Sequence, residues 1–62
     1  MTWAKKIKKL RLAMCYTQQE FAKLIGVSFV SINRYENARH EPTMKVKRKL
    51  MELLAKYNIR ED

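Results

Sequence analysis

Apolar residues recur at helical spacing towards both ends of the chain. Between about residues 3 and 14, four of them are separated by steps of four, three and four, which places them on one helix face: Trp3, Ile7, Leu10 and Met14. After Thr43, a candidate helix cap, a second stripe extends to about Tyr57 or Asn58 through Val46, Leu50, Leu53, Leu54 and Tyr57. Met44, Met51 and Ile59 lie at or beyond the edge of this stripe. We expect them to fill the core, although surplus apolar surface leaves open a contact with a second copy of the chain.

The middle of the chain contains two shorter helical patterns separated by Gly26, the single glycine. Thr17 and Glu20 have the spacing of a capping box, so a helix is expected to begin there. Its packing face carries Phe21, Leu24 and Ile25, with Ala22 small enough for close approach of a neighbouring helix. Gly26 can adopt the left-handed conformation that ends a helix.

Ser28 is expected to cap the next helix, whose core residues are Ile32 and Tyr35. Two helices joined by a short turn that contains glycine form a helix-turn-helix. The opposite face of the second helix carries Phe29, Val30, Asn33 and Arg34. In a DNA major groove, apolar side chains can pack on thymine methyl groups, Asn can bond adenine and Arg can bond guanine.

The segment from about Lys9 to Pro42 resembles the Cro and phage-repressor type of helix-turn-helix, the xenobiotic-response-element-like family of DNA-binding regulators. The matching residues are Thr17 to Ala22, Gly26 to Ser28, Ile32, Tyr35 to Asn37, and Arg39 to Pro42. The resemblance implies an all-α, compact, repressor-like domain of four helices, where relatives have four or five, and we assign residues 1–62 to it. Relatives commonly have glycine where this chain has Cys15 and Ala38, at the ends of two helices.

Candidate DNA contacts follow from the outward face and from the resemblance. Base reading is expected from Ser28, Phe29, Val30, Asn33 and Arg34. Phosphate contacts are expected from Thr17, Gln18, Ser31, Asn37, Arg39 and Lys45. The resemblance also implies a structural ion pair between Arg11 and Glu36. Thr17 as a cap alone and Ser31 as a packing residue remain alternative interpretations. Tyr16 is expected to pack beneath the corner.

Composition narrows the class of partner. Sixty-two residues allow one domain that buries roughly 60% of its unfolded surface, which leaves little room for an enzyme cleft. Fourteen Lys and Arg against six Asp and Glu give a net charge of +8, which favours nucleic acid as a partner first and an acidic membrane surface second. The resemblance implies that the nucleic acid is double-stranded DNA. One Cys and one His suit neither a disulfide nor a zinc site, and we find no catalytic residue set, no cofactor motif and no membrane span.

The sequence therefore predicts a cytoplasmic, non-enzymatic regulator of transcription from a bacterium, phage or mobile element. A homodimer on a pseudo-palindromic operator is the expected arrangement. The alternative is a protein-interaction adaptor of the antitoxin or anti-repressor kind, with Phe29 and Val30 as its contact patch.

Overall fold

The computed structural model describes residues 2–59, which form four α-helices: α1 Trp3–Ala13, α2 Gln18–Ile25, α3 Phe29–Glu36 and α4 Met44–Lys56. Both α3 and α4 pack against α1, and both also pack against α2. The predicted all-α class is confirmed. The ends of the expected domain, residue 1 and residues 60–62, lie outside the described residues.

Each helix begins at a hydroxyl side chain that accepts a backbone N–H three residues later, which satisfies one of the donors left free in a first turn. The capping residues are Thr2, Thr17, Ser28 and Thr43. At Thr17 the capping box is complete, because its own backbone N–H donates to the Glu20 carboxylate at 2.8 Å. The three caps predicted from the sequence are confirmed.

Each helix also ends at a residue with positive φ: Cys15 at 59°, Gly26 at 87°, Ala38 at 57° and Asn58 at 55°. After α1, α3 and α4 the next two N–H groups turn back to the last helical carbonyls, as in the bonds from Ala38 to Tyr35 at 3.1 Å and from Arg39 to Arg34 at 2.9 Å. The left-handed region costs a side chain about 1–2 kcal/mol. Cys15 and Ala38 therefore carry a strain that glycine would not.

One cluster of buried side chains joins the four helices: Ile7 and Leu10 from α1, Phe21 and Ala22 from α2, Ile32 and Tyr35 from α3, and Val46, Leu50 and Leu54 from α4. Partly buried Trp3, Met14, Ile25, Val27, Leu53 and Ile59 pack around it. The predicted core residues of α1 and α3 are confirmed. Ile59 also packs as predicted, directly after the left-handed turn at Asn58.

Five packing predictions are wrong, because the residues concerned are exposed: Tyr16, Leu24, Met44, Met51 and Tyr57. On α2 the covered residues are Phe21, Ala22 and Ile25, and Leu24 lies outside this group. Met44 and Met51 lie roughly 140–160° around α4 from Val46, at about 100° per residue, and so face away from the core. Tyr57 follows the last helical residue, and Tyr16 follows the left-handed turn at Cys15.

Candidate nucleic-acid interface

The helix α3 has one buried and one exposed face. Ile32 and Tyr35, which we call the inward face, are almost fully buried. The outward face consists of Phe29, Val30, Asn33 and Arg34; Phe29 is 44% exposed, Val30 is 53% exposed, and the two polar residues are also exposed. Apolar side chains of this size, presented beside an amide and a guanidinium on one short helix, form a surface suited to a partner with both apolar and hydrogen-bonding groups.

The start of α3 is fixed by two serines. Ser28 Oγ accepts the Ser31 backbone N–H at 3.1 Å and lies 3.0 Å from Ser31 Oγ. Ser28 is exposed and Ser31 is partly exposed, and each hydroxyl oxygen has two lone pairs and one proton. Both side chains therefore serve the helix start and keep capacity for a further hydrogen bond.

The pair of Arg11 and Glu36 joins α1 to the end of α3. Arg11 Nε lies 2.7 Å from Glu36 Oε2 and Arg11 Nη2 lies 3.0 Å from Glu36 Oε1, so the contact is bidentate. Only 13% of the Arg11 side chain and 5% of the Glu36 side chain are exposed. The hydrogen bond to Glu36 raises the pKa of Arg11, partly opposed by burial, so the guanidinium stays charged at physiological pH.

Arg11 also ties this pair to the turn that precedes α2. Its Nη1 donates to the Tyr16 carbonyl at 3.0 Å. One guanidinium thus holds α1, the turn before α2 and the end of α3 together, a geometry that the planar fork of Arg permits and the single ammonium of Lys does not.

A series of side-chain bonds extends from Glu36 to the outward face. Gln18 Nε2 donates to Glu36 Oε1 at 3.1 Å, and Asn33 Nδ2 donates to Gln18 Oε1 at 3.4 Å. Asn37 Nδ2 then donates to Asn33 Oδ1 at 3.2 Å and to the Asn33 carbonyl at 2.8 Å. We call Arg11, Glu36, Gln18, Asn33 and Asn37 the polar chain. It brings two candidate phosphate contacts, Gln18 and Asn37, beside one candidate base reader, Asn33.

The remaining candidate contacts lie around this centre. Thr17 caps α2 directly before Gln18, and the first amides of α2 have no acceptor within the helix. Arg39 is exposed after α3 and lines a shallow cavity of about 260 Å³ together with Trp3, Tyr35 and His40. Lys45 is exposed in the first turn of α4. Arg34, Arg39 and Lys45 therefore reach solvent from three different segments.

Several contacts near the site did not follow from the sequence. The bonds of Gln18 join residues 15 and 18 positions apart, a separation at which no periodic pattern operates. Stacking of Tyr35 on His40, with ring centroids 6.1 Å apart, is a further example. Two lysines also flank Trp3: Lys6 Nζ lies 4.6 Å and Lys47 Nζ 5.7 Å from the ring. The sequence also did not indicate that Lys47 Nζ lies 3.8 Å from Glu41 Oε1.

Residues 2–59 contain no helix long and apolar enough to cross a membrane. Within the same range, no group of three or more His, Cys, Asp or Glu side chains is arranged to hold a metal ion.

A comparison with protein families completes the assignment. A family model described as helix-turn-helix matches residues 7–61, which include the whole of α2, α3 and α4 and most of α1. Neither a curated protein nor a solved structure gives a significant match. With the left-handed corner at Gly26 and the outward face of α3 already described, the match shows that this chain belongs to the helix-turn-helix family of DNA-binding proteins, of the Cro and phage-repressor type.

Proposed function

We propose that the protein is a transcriptional regulator that binds a specific sequence of double-stranded DNA, with α3 in the major groove. The observation that carries this proposal is the outward face of α3, where Phe29, Val30, Asn33 and Arg34 are exposed opposite a fully packed side. Thymine methyl groups suit the apolar pair, whereas Asn33 and Arg34 suit adenine and guanine edges. Ser28, which caps the start of α3, contacts a base or a phosphate in this proposal.

Phosphate contacts position the helix in this proposal. Gln18 and the free amides at the start of α2 form one anchor, supported by Thr17. Ser31 near the start of α3 and Asn37 at its end form two further anchors. Arg39 and Lys45 add two exposed cations. A net charge of +8 supplies a field that attracts the polyanion over a longer range. These groups determine affinity and orientation, and the outward face determines sequence.

Regulation in this proposal follows from occupancy of the DNA. A dimer with two-fold symmetry binds a pseudo-palindrome whose half-sites lie about 10 bp apart, and the bound protein blocks or recruits polymerase in the cytoplasm of a bacterium. The exposed Met44 and Met51 side chains on α4 support a contact with a second copy, because they form apolar surface that the core does not use.

Selection of duplexes from a random DNA pool at about 0.15 M salt, followed by sequencing, tests the proposal. A symmetric enriched motif is the expected result, and a single short half-site would replace the dimer with a monomer or a partner-dependent reader. A folded protein that enriches no sequence would contradict specific DNA binding.

Two arginine variants separate base reading from phosphate contact. Arg34→Ala should relax the preference at one base pair, with a loss of discrimination of about 1–3 kcal/mol there. Arg39→Ala removes the same charge from the loop after α3 and should weaken all duplexes alike, with a salt slope smaller by about 1. Equal, uniform losses in both variants would refute the assignment of Arg34 as a base reader.

A protein-interaction adaptor remains the second candidate function. It is favoured by the exposed Phe29 and Val30 and by a cavity of about 310 Å³ that Phe29 lines with Gln19, Ala22, Lys23 and Val27. An apolar protein contact of this kind weakens little as salt rises, whereas binding through phosphates weakens steeply. A salt titration of the affinity for the natural partner thus distinguishes the two functions.

A further inference from the structure

We propose that Glu36, acting through Gln18, fixes the orientation of the Asn33 side-chain amide and thereby its base preference. Gln18 and Glu36 would then be positioning residues for base reading, in addition to the phosphate contact and ion pair already assigned to them. The inference rests on the proposed DNA-reading function, but its first step concerns the free protein.

The donor-to-acceptor direction of the hydrogen bonds in the polar chain is set by the Glu36 carboxylate, which can only accept. A carboxylate has no donor, and Arg11 holds the Glu36 carboxylate in place through two bonds of 2.7 and 3.0 Å. The group of Gln18 that faces Glu36 Oε1 at 3.1 Å must therefore be its NH₂. Consequently the carbonyl oxygen of Gln18 faces away from Glu36 and towards Asn33.

One hydrogen bond at each end of the Asn33 amide fixes its orientation. Its NH₂ donates to the Gln18 carbonyl at 3.4 Å, and its Oδ1 accepts from Asn37 at 3.2 Å. The Asn37 NH₂ is itself held by the Asn33 backbone carbonyl at 2.8 Å, which can only accept. A flipped Asn33 amide would place oxygen against oxygen and NH₂ against NH₂. Two acceptors, one a carboxylate and one a main-chain carbonyl, thus define a single favoured orientation.

The oriented amide keeps the groups that base reading needs. Asn33 uses one of its two N–H groups on Gln18 and one lone pair on Asn37, so one N–H and one lone pair remain, and the residue is exposed. That pair matches N7 and the N6 amino group of adenine. Because the amide is already oriented, binding need not select one of two flip states, which is the advantage of preorganisation.

The experiment compares four proteins and one control variant on four duplexes. Gln18→Met keeps the length of the side chain and removes both bonds; Asn33→Ala removes the reader, and the double variant combines the two. The duplexes carry each of the four base pairs at the position whose preference Asn33→Ala abolishes. Gln19→Met, on the exposed neighbouring residue of α2, is the matched control. Affinities are measured at fixed salt after thermal melts have confirmed folding.

The wild-type protein should prefer adenine at this position by about 5- to 150-fold, the range of one bidentate contact. Gln18→Met should lower that preference at least threefold, beside a uniform loss from the missing phosphate contact. In the Asn33→Ala background, Gln18→Met should leave only the uniform loss, and Gln19→Met should leave the preference unchanged. A purely structural role for Gln18 would not change the preference at this position alone.

Two results would contradict the positioning role, and a third would contradict the proposed function on which it rests. Uniform weakening of all four duplexes by Gln18→Met, with the Asn33-dependent preference intact, would refute the positioning role. Failure of Asn33→Ala to change any preference would refute it as well. A wild-type protein without any sequence preference would refute the proposed function instead.

A measurement without DNA tests the first step separately. The NMR signals of the Asn33 side-chain NH₂ should shift in Gln18→Met and stay in place in Gln19→Met. Asn37→Ala, at an exposed residue, removes the bond at the other end and should also shift them. Unchanged Asn33 signals in both Gln18→Met and Asn37→Ala would show that the amide is not held by the polar chain.

Discussion

The two faces of α3 differ in what keeps their side chains in place. On the inward face, Ile32 and Tyr35 are fixed by packing in the shared core. On the outward face, Asn33 is held by hydrogen bonds, and Phe29 and Val30 are exposed. In the proposed function, a helix of eight residues thus carries stability on one face and recognition on the other. Substitutions on the inward face should change unfolding, whereas those on the outward face should change binding.

The largest expected effect is on the inward face. Ile32→Ala removes three carbons from a side chain that is 1% exposed and should lower the free energy of unfolding by about 3–4 kcal/mol. In so small a domain this corresponds to a fall in Tm of 10 °C or more, at about 4–8 °C per kcal/mol. Denaturant titration followed by circular dichroism measures the loss.

Val30→Ala is the matched control on the outward face, where a surface truncation should change unfolding by less than about 0.5 kcal/mol. Comparable losses of stability in Ile32→Ala and Val30→Ala would mean that the outward face is also packed, and the distinction between the two faces would fail.

Glu36 lies at the boundary of the two faces. The next prediction concerns Arg11, which forms the ion pair with it. Arg11→Met removes the bidentate donor and leaves a carboxylate that is 5% exposed, with Gln18 as its remaining side-chain donor among residues 2–59. Breaking one side of such a pair should destabilise the protein by about 3 kcal/mol. Arg11→Lys should recover part of this, because an ammonium restores charge but not the fork that reaches both Glu36 and the Tyr16 carbonyl.

The pH dependence follows from the raised pKa of Arg11. A cation whose pKa is raised on folding contributes fully below its unfolded pKa and loses that contribution only as pH passes the folded value. The difference in stability between wild type and Arg11→Met should therefore be constant from about pH 7 to about pH 10.

The control for Arg11→Met is Lys8→Met, at an exposed residue of the same helix, which should change stability by less than about 0.5 kcal/mol. A loss of similar size in Lys8→Met would mean that charge alone, and not the pair, is responsible.

Local patterns were sufficient to predict the helices and their ends. The capping box at Thr17 and Glu20, the left-handed turn at Gly26 and the inward face of α3 each depend on residues within four positions of one another. Thr2, in contrast, is a cap that we did not predict, although it stands directly before the first apolar position, where a cap is expected.

Periodicity could not predict which faces a neighbour covers or which distant side chains meet. Leu24 and Met51 have the spacing of core residues, yet both are exposed. The Arg11–Glu36 pair spans 25 positions and was expected only from the family resemblance, and the bond from Asn33 to Gln18 was not expected. These contacts depend on how α2 and α3 cross, which is a property of the assembled fold. The DNA-contact assignments remain predictions.

The smallest expected effect is at Ala38, where both faces of α3 end. The N–H of Ala38 bonds the carbonyl of Tyr35 on the inward face, and the next N–H bonds that of Arg34 on the outward face. Ala38→Gly removes about 1–2 kcal/mol of left-handed strain but adds roughly 0.5–1 kcal/mol of backbone entropy to the unfolded state. Stability should rise by about 0.5–1 kcal/mol, and base preference should stay unchanged. Asn58→Gly is the matched control, since Asn tolerates this conformation and should gain less. If Ala38→Gly altered base preference, strain at the end of α3 would be part of how the outward face is held, and packing and recognition would not be separable on this helix.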